Sequence, residues 1–118
     1  MKKTYEVLHK LAAVEGVRAA VLVSGDGIPL EAVVKDAALD AEMVAASLRD
    51  GAGAVRRVLA ELDLGQLAQG VIESSQGTVL ITNLPLNMTL VLVAARGANK
   101  AALWNAAVQH FREVMAAL

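Results

Sequence analysis

The chain of 118 residues carries 11 Lys plus Arg against 12 Asp plus Glu, and it has no cysteine. This length predicts one domain, residues 1–118, with a single core. The balanced charge gives no reason to expect nucleic acid as a partner. The lack of cysteine excludes disulfides and thiolate metal sites and fits the reducing cytoplasm. Because the composition is 56% hydrophobic but only 3% aromatic, we expect an aliphatic core and further apolar surface that a partner buries.

The N-terminal part predicts a short helix followed by a β-hairpin. A helix over residues 4–14 has Thr4 as its cap and Gly16 as its stop. Its apolar stripe consists of Tyr5, Leu8, Leu11 and Ala12. Two β-prone runs follow, at 17–23 and 28–34, and the tract Ser24-Gly25-Asp26-Gly27 between them is typical of a hairpin turn, since glycine accepts positive φ.

The glycine-bracketed Asp26 is also a candidate for phosphate or cation binding. A P-loop requires Gly-Lys-Ser or Gly-Lys-Thr leading into a helix, whereas here a strand-like run follows. A calcium loop requires alternating oxygen ligands and a distal glutamate, and a dinucleotide fingerprint requires a third glycine and a helix. The turn is therefore the favoured interpretation.

The longest helix is predicted over residues 40–62, with Asp40 as its N-cap. One face is apolar at spacings of three and four and should dock on a sheet or another helix. That face consists of Val44, Leu48, Gly51, Val55, Val58, Leu59 and Leu62. On the opposite face Ala46, Gly53 and Ala60 recur every seven residues. A mid-helix glycine costs about 1 kcal/mol relative to alanine, so this stripe predicts the close approach of another backbone. An alanine-rich helix that simply tolerates one glycine is the alternative.

Three strands and a final helix complete the pattern. The strands are predicted at 67–74, 78–83 and 88–95, with short connections that make the sheet antiparallel. Residues 74–95 contain no charge, but Gly77, Asn83, Pro85 and Asn87 interrupt them, so we expect no membrane insertion. Asn99 caps the last helix, whose apolar stripe is Leu103, Trp104, Ala107, Val108, Phe111, Val114 or Met115, and Leu118.

Candidate chemical groups do not combine into an active site. His9 and His110 lie on separate helices without other ligands at metal spacing, and the serines lack a nucleophile context. Arg49, Arg56 and Arg57 on the long helix could supply an arginine finger to a bound nucleotide hydrolase, although surface salt bridges with Asp50 and Glu61 are the commoner use. We therefore expect no catalytic residue, no cofactor and no metal.

Several stretches, taken in order, resemble the roadblock family of dynein-light-chain and GTPase-regulator type. They cover almost the whole chain and comprise VEGVRAAVLV at 14–23, GDGIPL at 25–30, the alanine-rich helix after Asp40, GTVLIT at 77–82 and ANKAAL at 98–103. The resemblance implies an α+β, profilin-like fold. Its single five-stranded antiparallel sheet would carry the long helix on one face and the two terminal helices on the other.

The resemblance also implies a function without enzymatic chemistry. Roadblock domains form homodimers, or heterodimers with another roadblock protein, by pairing their third strands and setting their long helices side by side. They bind small Ras-like GTPases as regulators or scaffolds. The resemblance supplies no conserved residue to transfer, so the predicted interface comes from the helix pattern and the edge of the third strand. It consists of Ala46, Arg49, Asp50, Gly53, Arg56, Arg57, Ala60, Leu67, Gln69, Val71 and Glu73. A structural adaptor with no effect on GTP hydrolysis is the alternative, and a small-molecule sensor is a weaker one because aromatic and polar pocket residues are scarce.

Overall fold

Three helices and five strands follow one another in the predicted order. A computed structural model describes residues 2–117. The elements are α1 (Lys2–Ala12), β1 (Val17–Val23), β2 (Pro29–Val34), α2 (Ala41–Glu61), β3 (Gln69–Ser74), β4 (Gly77–Leu84), β5 (Met88–Ala95) and α3 (Lys100–Ala117). The strands form one sheet in the order β2-β1-β5-β4-β3, and all neighbours are antiparallel. The predicted fold class is confirmed.

The sheet separates two apolar layers, with α2 on one face and both terminal helices on the other. Successive residues of a strand point to opposite faces. Ala20 and Leu22 of β1 therefore contact the core under α1 and α3, whereas Ala19, Val21 and Val23 contact the core under α2. The two central strands, β1 and β5, are buried on both faces, as the nearly continuous apolar sequence of β5 predicted.

The tract at 24–27 forms the predicted hairpin turn. The Ser24 N–H donates to the Ile28 carbonyl at 2.9 Å, and the Gly27 N–H donates to the Ser24 carbonyl at 3.0 Å. Gly27 has a φ of +81°, a region that L side chains rarely adopt. A side chain at Gly25 would collide with Asn87 of the β4–β5 loop. The glycines therefore serve a turn and the close approach of two loops.

Two of the three predicted helix caps are confirmed. The Asp40 carboxylate accepts the Glu42 N–H at 2.8 Å, and the Asn99 side chain accepts the Ala102 N–H at 3.0 Å. The prediction for Thr4 is wrong, because this residue lies inside α1 and is fully buried. Its hydroxyl has no hydrogen-bond partner among the described residues.

Periodicity misplaced several residues of the terminal helices. Tyr5, Trp104 and Val108 are exposed, and Ala106 is buried instead. Of the two alternatives Val114 and Met115, Val114 is the buried one. The reason is that α3 is apolar around more than half of its circumference, so spacing alone does not select the face that meets the sheet. Leu118, the last residue of the predicted stripe, lies outside the described part of the chain.

Candidate interaction surface

Helix α2 packs on β1 and β2 through its smallest residues. Ala45 and Ala52 are buried together with Val44. The predicted docking face is therefore only partly correct, because Val58 and Leu62 at its C-terminal end remain exposed. Among the strands, α2 contacts mainly β1 and β2.

An apolar groove of about 640 Å³ lies between α2 and the strands β3, β4 and β5. The helix contributes Gly51, Val55 and Leu59 to its wall, and Ile72 and Ile81 belong to its strand side. Among the described residues that line it, none is charged. The groove can therefore bind an apolar surface, but it offers no group for acid–base chemistry. Its volume is that of a small-ligand site, but Ser47 and Gln69 are the only residues with polar side chains among its described lining residues, fewer than such sites use.

The rim of the groove exposes large side chains to solvent. Ile72, which lines the groove, is 53% exposed, and Val58 (53%) and Leu62 (62%) follow Val55 of its wall at spacings of three and four along α2. A contiguous apolar patch of this kind marks an interaction site more often than a free surface. The groove and its rim form what we call the α2 groove.

The α2 groove opens onto β3, an edge strand with free backbone groups. The Asn83 N–H donates to the Ala68 carbonyl. Along an antiparallel strand, residues whose backbone groups point toward the neighbouring strand alternate with residues whose groups point away from it. The N–H and C=O groups of Gln69, Val71 and Glu73 consequently point away from β4. The six residue pairs between β3 and β4 keep one register without a bulge. Such an edge is a template for another strand.

The opposite edge of the sheet is protected. Strand β2 begins with Pro29, which lacks an N–H donor, and its register with β1 shifts between Leu22 and Val23. Glu31 adds a charge. Proline, irregularity and charge are the features by which proteins discourage edge pairing. The sheet therefore has one open edge, and that edge borders the α2 groove.

The predicted small-residue stripe lies on another flank of α2. Ala46, Gly53 and Ala60 are exposed and do not line the groove. Arg49 packs on Gly27 of the β1–β2 hairpin. The basic and acidic residues predicted with the stripe, which are Arg49, Asp50, Arg56 and Arg57, are also exposed.

The strand residues of the predicted interface divide between two places. Gln69, Val71 and Glu73 present the open backbone edge, whereas Leu67 is buried and precedes β3. The sequence analysis did not name Ile72, and it placed Gly51 and Val55 on a face that docks on a sheet or another helix. The apolar periodicity of α2 includes Gly51 and Val55. Periodicity alone, however, does not distinguish a face that packs on its own sheet from a face that is accessible to a partner.

The residues with perturbed ionisation lie away from the α2 groove. The Ala38 N–H and the Arg18 guanidinium lower the pKa of Asp36, and His110 and Lys10 lower the pKa of Glu113. No group of three or more potential metal ligands occurs in residues 2–117. None of the helices in this range is long and apolar enough to cross a membrane.

An open sheet edge beside an uncharged apolar groove is typical of a protein-interaction surface. The family model of the Roadblock/LC7 domain matches residues 3–94. The uncharacterized proteins MJ0310 and MJ1340 of Methanocaldococcus jannaschii are each 31% identical over 90 residues, which cover 76% of this chain and 78% of theirs. The chain therefore belongs to the Roadblock/LC7 family, a family of interaction and adaptor domains.

Solved structures agree on the fold. Myxococcus xanthus MglB superposes with a TM-score of 0.88 at 12% identity, covering 98% of this chain and 87% of that one. A Roadblock/LC7 domain from Streptomyces avermitilis superposes with a TM-score of 0.83 at 22% identity, covering 96% and 95%. At these identities the likeness concerns the fold alone.

Proposed function

We propose that the protein is a non-catalytic dimeric interaction domain that pairs through β3 and the α2 groove and presents its α2 helices to a small Ras-like GTPase. The observation that carries the dimer is that the open edge and the apolar groove are adjacent. One partner with the same two features can cover both at once, because a twofold axis brings each surface against its own copy.

The free backbone groups suggest how the strands pair. Gln69, Val71 and Glu73 are the residues whose N–H and C=O groups face outward. An antiparallel pair centred on Val71 places Gln69 opposite Glu73 of the partner subunit, so that all three residues find partners. The two sheets then continue as one, and the α2 helices bury Val55 and Val58 between them. A second roadblock protein with the same edge could replace the second copy.

Membership of the Roadblock/LC7 family supports the GTPase as the partner of this dimer. The flank of α2 that carries Arg49, Arg56 and Arg57 stays accessible when the groove is covered, since these side chains do not line it. Arginine suits contacts with carboxylates and phosphates because its guanidinium donates in a fixed fork. The proposed role is regulation of the nucleotide state or of hydrolysis by the bound GTPase.

The dimer is tested with Val71→Pro and its control Val34→Pro. Proline removes one N–H that points outward, so both substitutions leave the pairing within the sheet intact. Lys35 donates its N–H to the Arg18 carbonyl of β1. Because backbone groups along β2 point alternately toward and away from β1, the Val34 N–H points away from the sheet at the protected edge. We expect light scattering to give a monomer near 12.3 kDa for Val71→Pro and a dimer for Val34→Pro. A wild-type monomer at high micromolar concentration contradicts the proposal.

The regulatory role is tested by single-turnover GTP hydrolysis. A Ras-like GTPase from the same organism is measured with and without the dimer, and with an Arg56→Ala dimer. A changed rate supports regulation, whereas binding without a change of rate supports the alternative of a structural adaptor. If no Ras-like GTPase binds, the GTPase part of the proposal is wrong. The proposed dimer is tested separately, by the light-scattering result.

A further inference from the structure

Strand β3 is left uncovered on the layer that carries α1 and α3. Residues that lie directly opposite each other in a sheet share a face. Val71 of β3 pairs with Leu80, which belongs to the core under α1 and α3. Among the described residues, however, β3 contributes none to that core, and Val71 is 41% exposed. The sheet therefore has an apolar strip at this edge that its own helices leave open.

The widths of helices and strands explain why β3 is uncovered. Packed helices lie about 8–10 Å apart, and neighbouring strands lie about 4.8 Å apart, so one helix covers about two strands. Helix α1 packs on β1 and β2, and α3 packs on α1 and β4. The two helices therefore cover the four strands β2, β1, β5 and β4, and the fifth strand has no helix above it.

Helix α3 runs alongside β3 and forms one wall of the open strip. Lys100 contacts Glu73 of β3 at 2.8 Å. Trp104 lines a cavity with Val71, and Val108 lines the next cavity, beside the start of β3. Trp104 is 43% exposed and Val108 56% exposed. Lys100 and Glu73 are the charged residues that line the two cavities, and because they pair with each other, the strip is apolar without a surplus of charge.

The proposed dimer joins two such strips into one trough. Because the β3 strands pair around Val71, the two copies of Val71 lie side by side on the floor, and Trp104 and Val108 of each subunit form opposite walls. Four strand spacings, about 19 Å in total, then separate the axes of the two α3 helices. Two helix-to-helix distances amount to about 16–20 Å. This surface, which we call the β3 trough, therefore has the width of one further helix.

We propose that the β3 trough binds one helix of another protein for each dimer, an inference that rests on the proposed function. The bound helix contacts apolar groups below it and on both sides, so it must be apolar over more than half of its circumference. A second copy of this chain does not fill the trough, because the two α3 walls are too far apart to pack on each other. A flat lipid surface does not reach the Val71 floor between two helical walls.

The experiment selects ligands from a displayed library of helical 14-residue peptides, about 21 Å long, whose apolar stripes range from narrow to wide. We expect the wild-type dimer to enrich wide stripes. A selected peptide should bind with one copy per two chains in sedimentation equilibrium, and it should shift the emission of Trp104, the only tryptophan of the chain, to shorter wavelength. Because it binds the dimer and not the monomer, it should also lower the dissociation constant of the dimer.

A pair of glutamate variants tests the wall of the trough. Val108→Glu should weaken peptide binding by about tenfold or more, because a carboxylate is then buried against an apolar ligand. It should leave dimerisation without peptide unchanged, since the two α3 walls do not meet. The matched control is Gln109→Glu, which places the same charge at the next residue of α3, an exposed position that lines neither cavity. This control should bind the peptides as the wild type does.

The other outcomes overturn the proposal. They are no enrichment, enrichment of narrow stripes, binding that Val108→Glu leaves unchanged, and binding of one peptide per chain with equal affinity for the Val71→Pro monomer. Loss of the peptide-free dimer in Val108→Glu would assign the surface to a second copy. Val108-dependent binding to phosphatidylcholine vesicles, without peptide selection, would assign it to lipid. Sedimentation of the wild-type chain without peptide tests the dimer alone, so failure of the dimer and failure of the β3 trough are measured separately.

Discussion

At the scale of single residues, the β4–β5 loop holds backbone strain that a substitution can relieve. Leu86 and Asn87 adopt φ values of +62° and +58°. Asparagine tolerates this region, but a branched apolar side chain collides with its own backbone there. Leu86 is also 77% exposed, so its side chain contributes little to the core.

We therefore expect Leu86→Asn to raise the free energy of unfolding by about 0.5–1 kcal/mol and Leu86→Val to lower it. Urea denaturation measures both, since the midpoint shifts while the slope stays constant. The two variants change the same exposed position in opposite directions. Equal stability of the two would show that the loop relaxes without cost.

At the scale of elements, α2 shows how far the sequence predicts a surface. The Asp40 cap and the extent of the helix follow from local chemistry and were predicted correctly. The exposure of Gly51 and Val55 on its apolar face was not predicted, because it depends on where α2 crosses the sheet. That position is set by the buried alanines over β1 and β2, a tertiary property that a helical period does not contain. The position of β3 at a sheet edge was expected only from the resemblance, which implies that the third strands pair, because no local pattern in the sequence tells an edge strand from its neighbours.

Two glycines of α2 separate the groove from the stripe that the sequence predicted. Gly51 lines the α2 groove and Gly53 does not, and a Cβ at either position meets no atom within 4 Å. Replacing either by glutamate improves helix propensity by similar amounts. We expect Gly51→Glu to weaken dimerisation by about a hundredfold, because it buries an unpaired carboxylate, and Gly53→Glu to leave the dimer intact but weaken GTPase binding.

Sedimentation equilibrium of the two glutamate variants decides between the two flanks. Dissociation by Gly53→Glu alone would place the dimer on the small-residue stripe instead of the groove. Circular dichroism is the control for the fold, and both variants should match the wild type. A dimer that survives both substitutions would leave neither flank as the interface.

At the scale of the whole molecule, two ion pairs join elements that are distant in sequence. Arg18 of β1 contacts Asp36 at 2.7 Å, and Lys10 of α1 contacts Glu113 of α3 at 3.0 Å. Glu113 also contacts His110 at 2.8 Å. These partners, together with the Ala38 N–H at Asp36, lower the pKa of both carboxyls from ordinary values of 3.8 and 4.5.

The lowered pKa values determine the sign of a pH effect. The native state favours the charged carboxylates, so their contribution to stability is present above the unfolded pKa values and is lost as the pH falls through the lower native values. We expect an Asp36→Asn, Glu113→Gln double variant to be less stable than the wild type at about pH 6–7. The difference should shrink below about pH 4.5 and disappear at still lower pH, where the wild-type carboxyls are protonated too. Thermal unfolding of both proteins across this range measures it, and a difference that stays constant with pH would show that the two substitutions act through packing and not through charge.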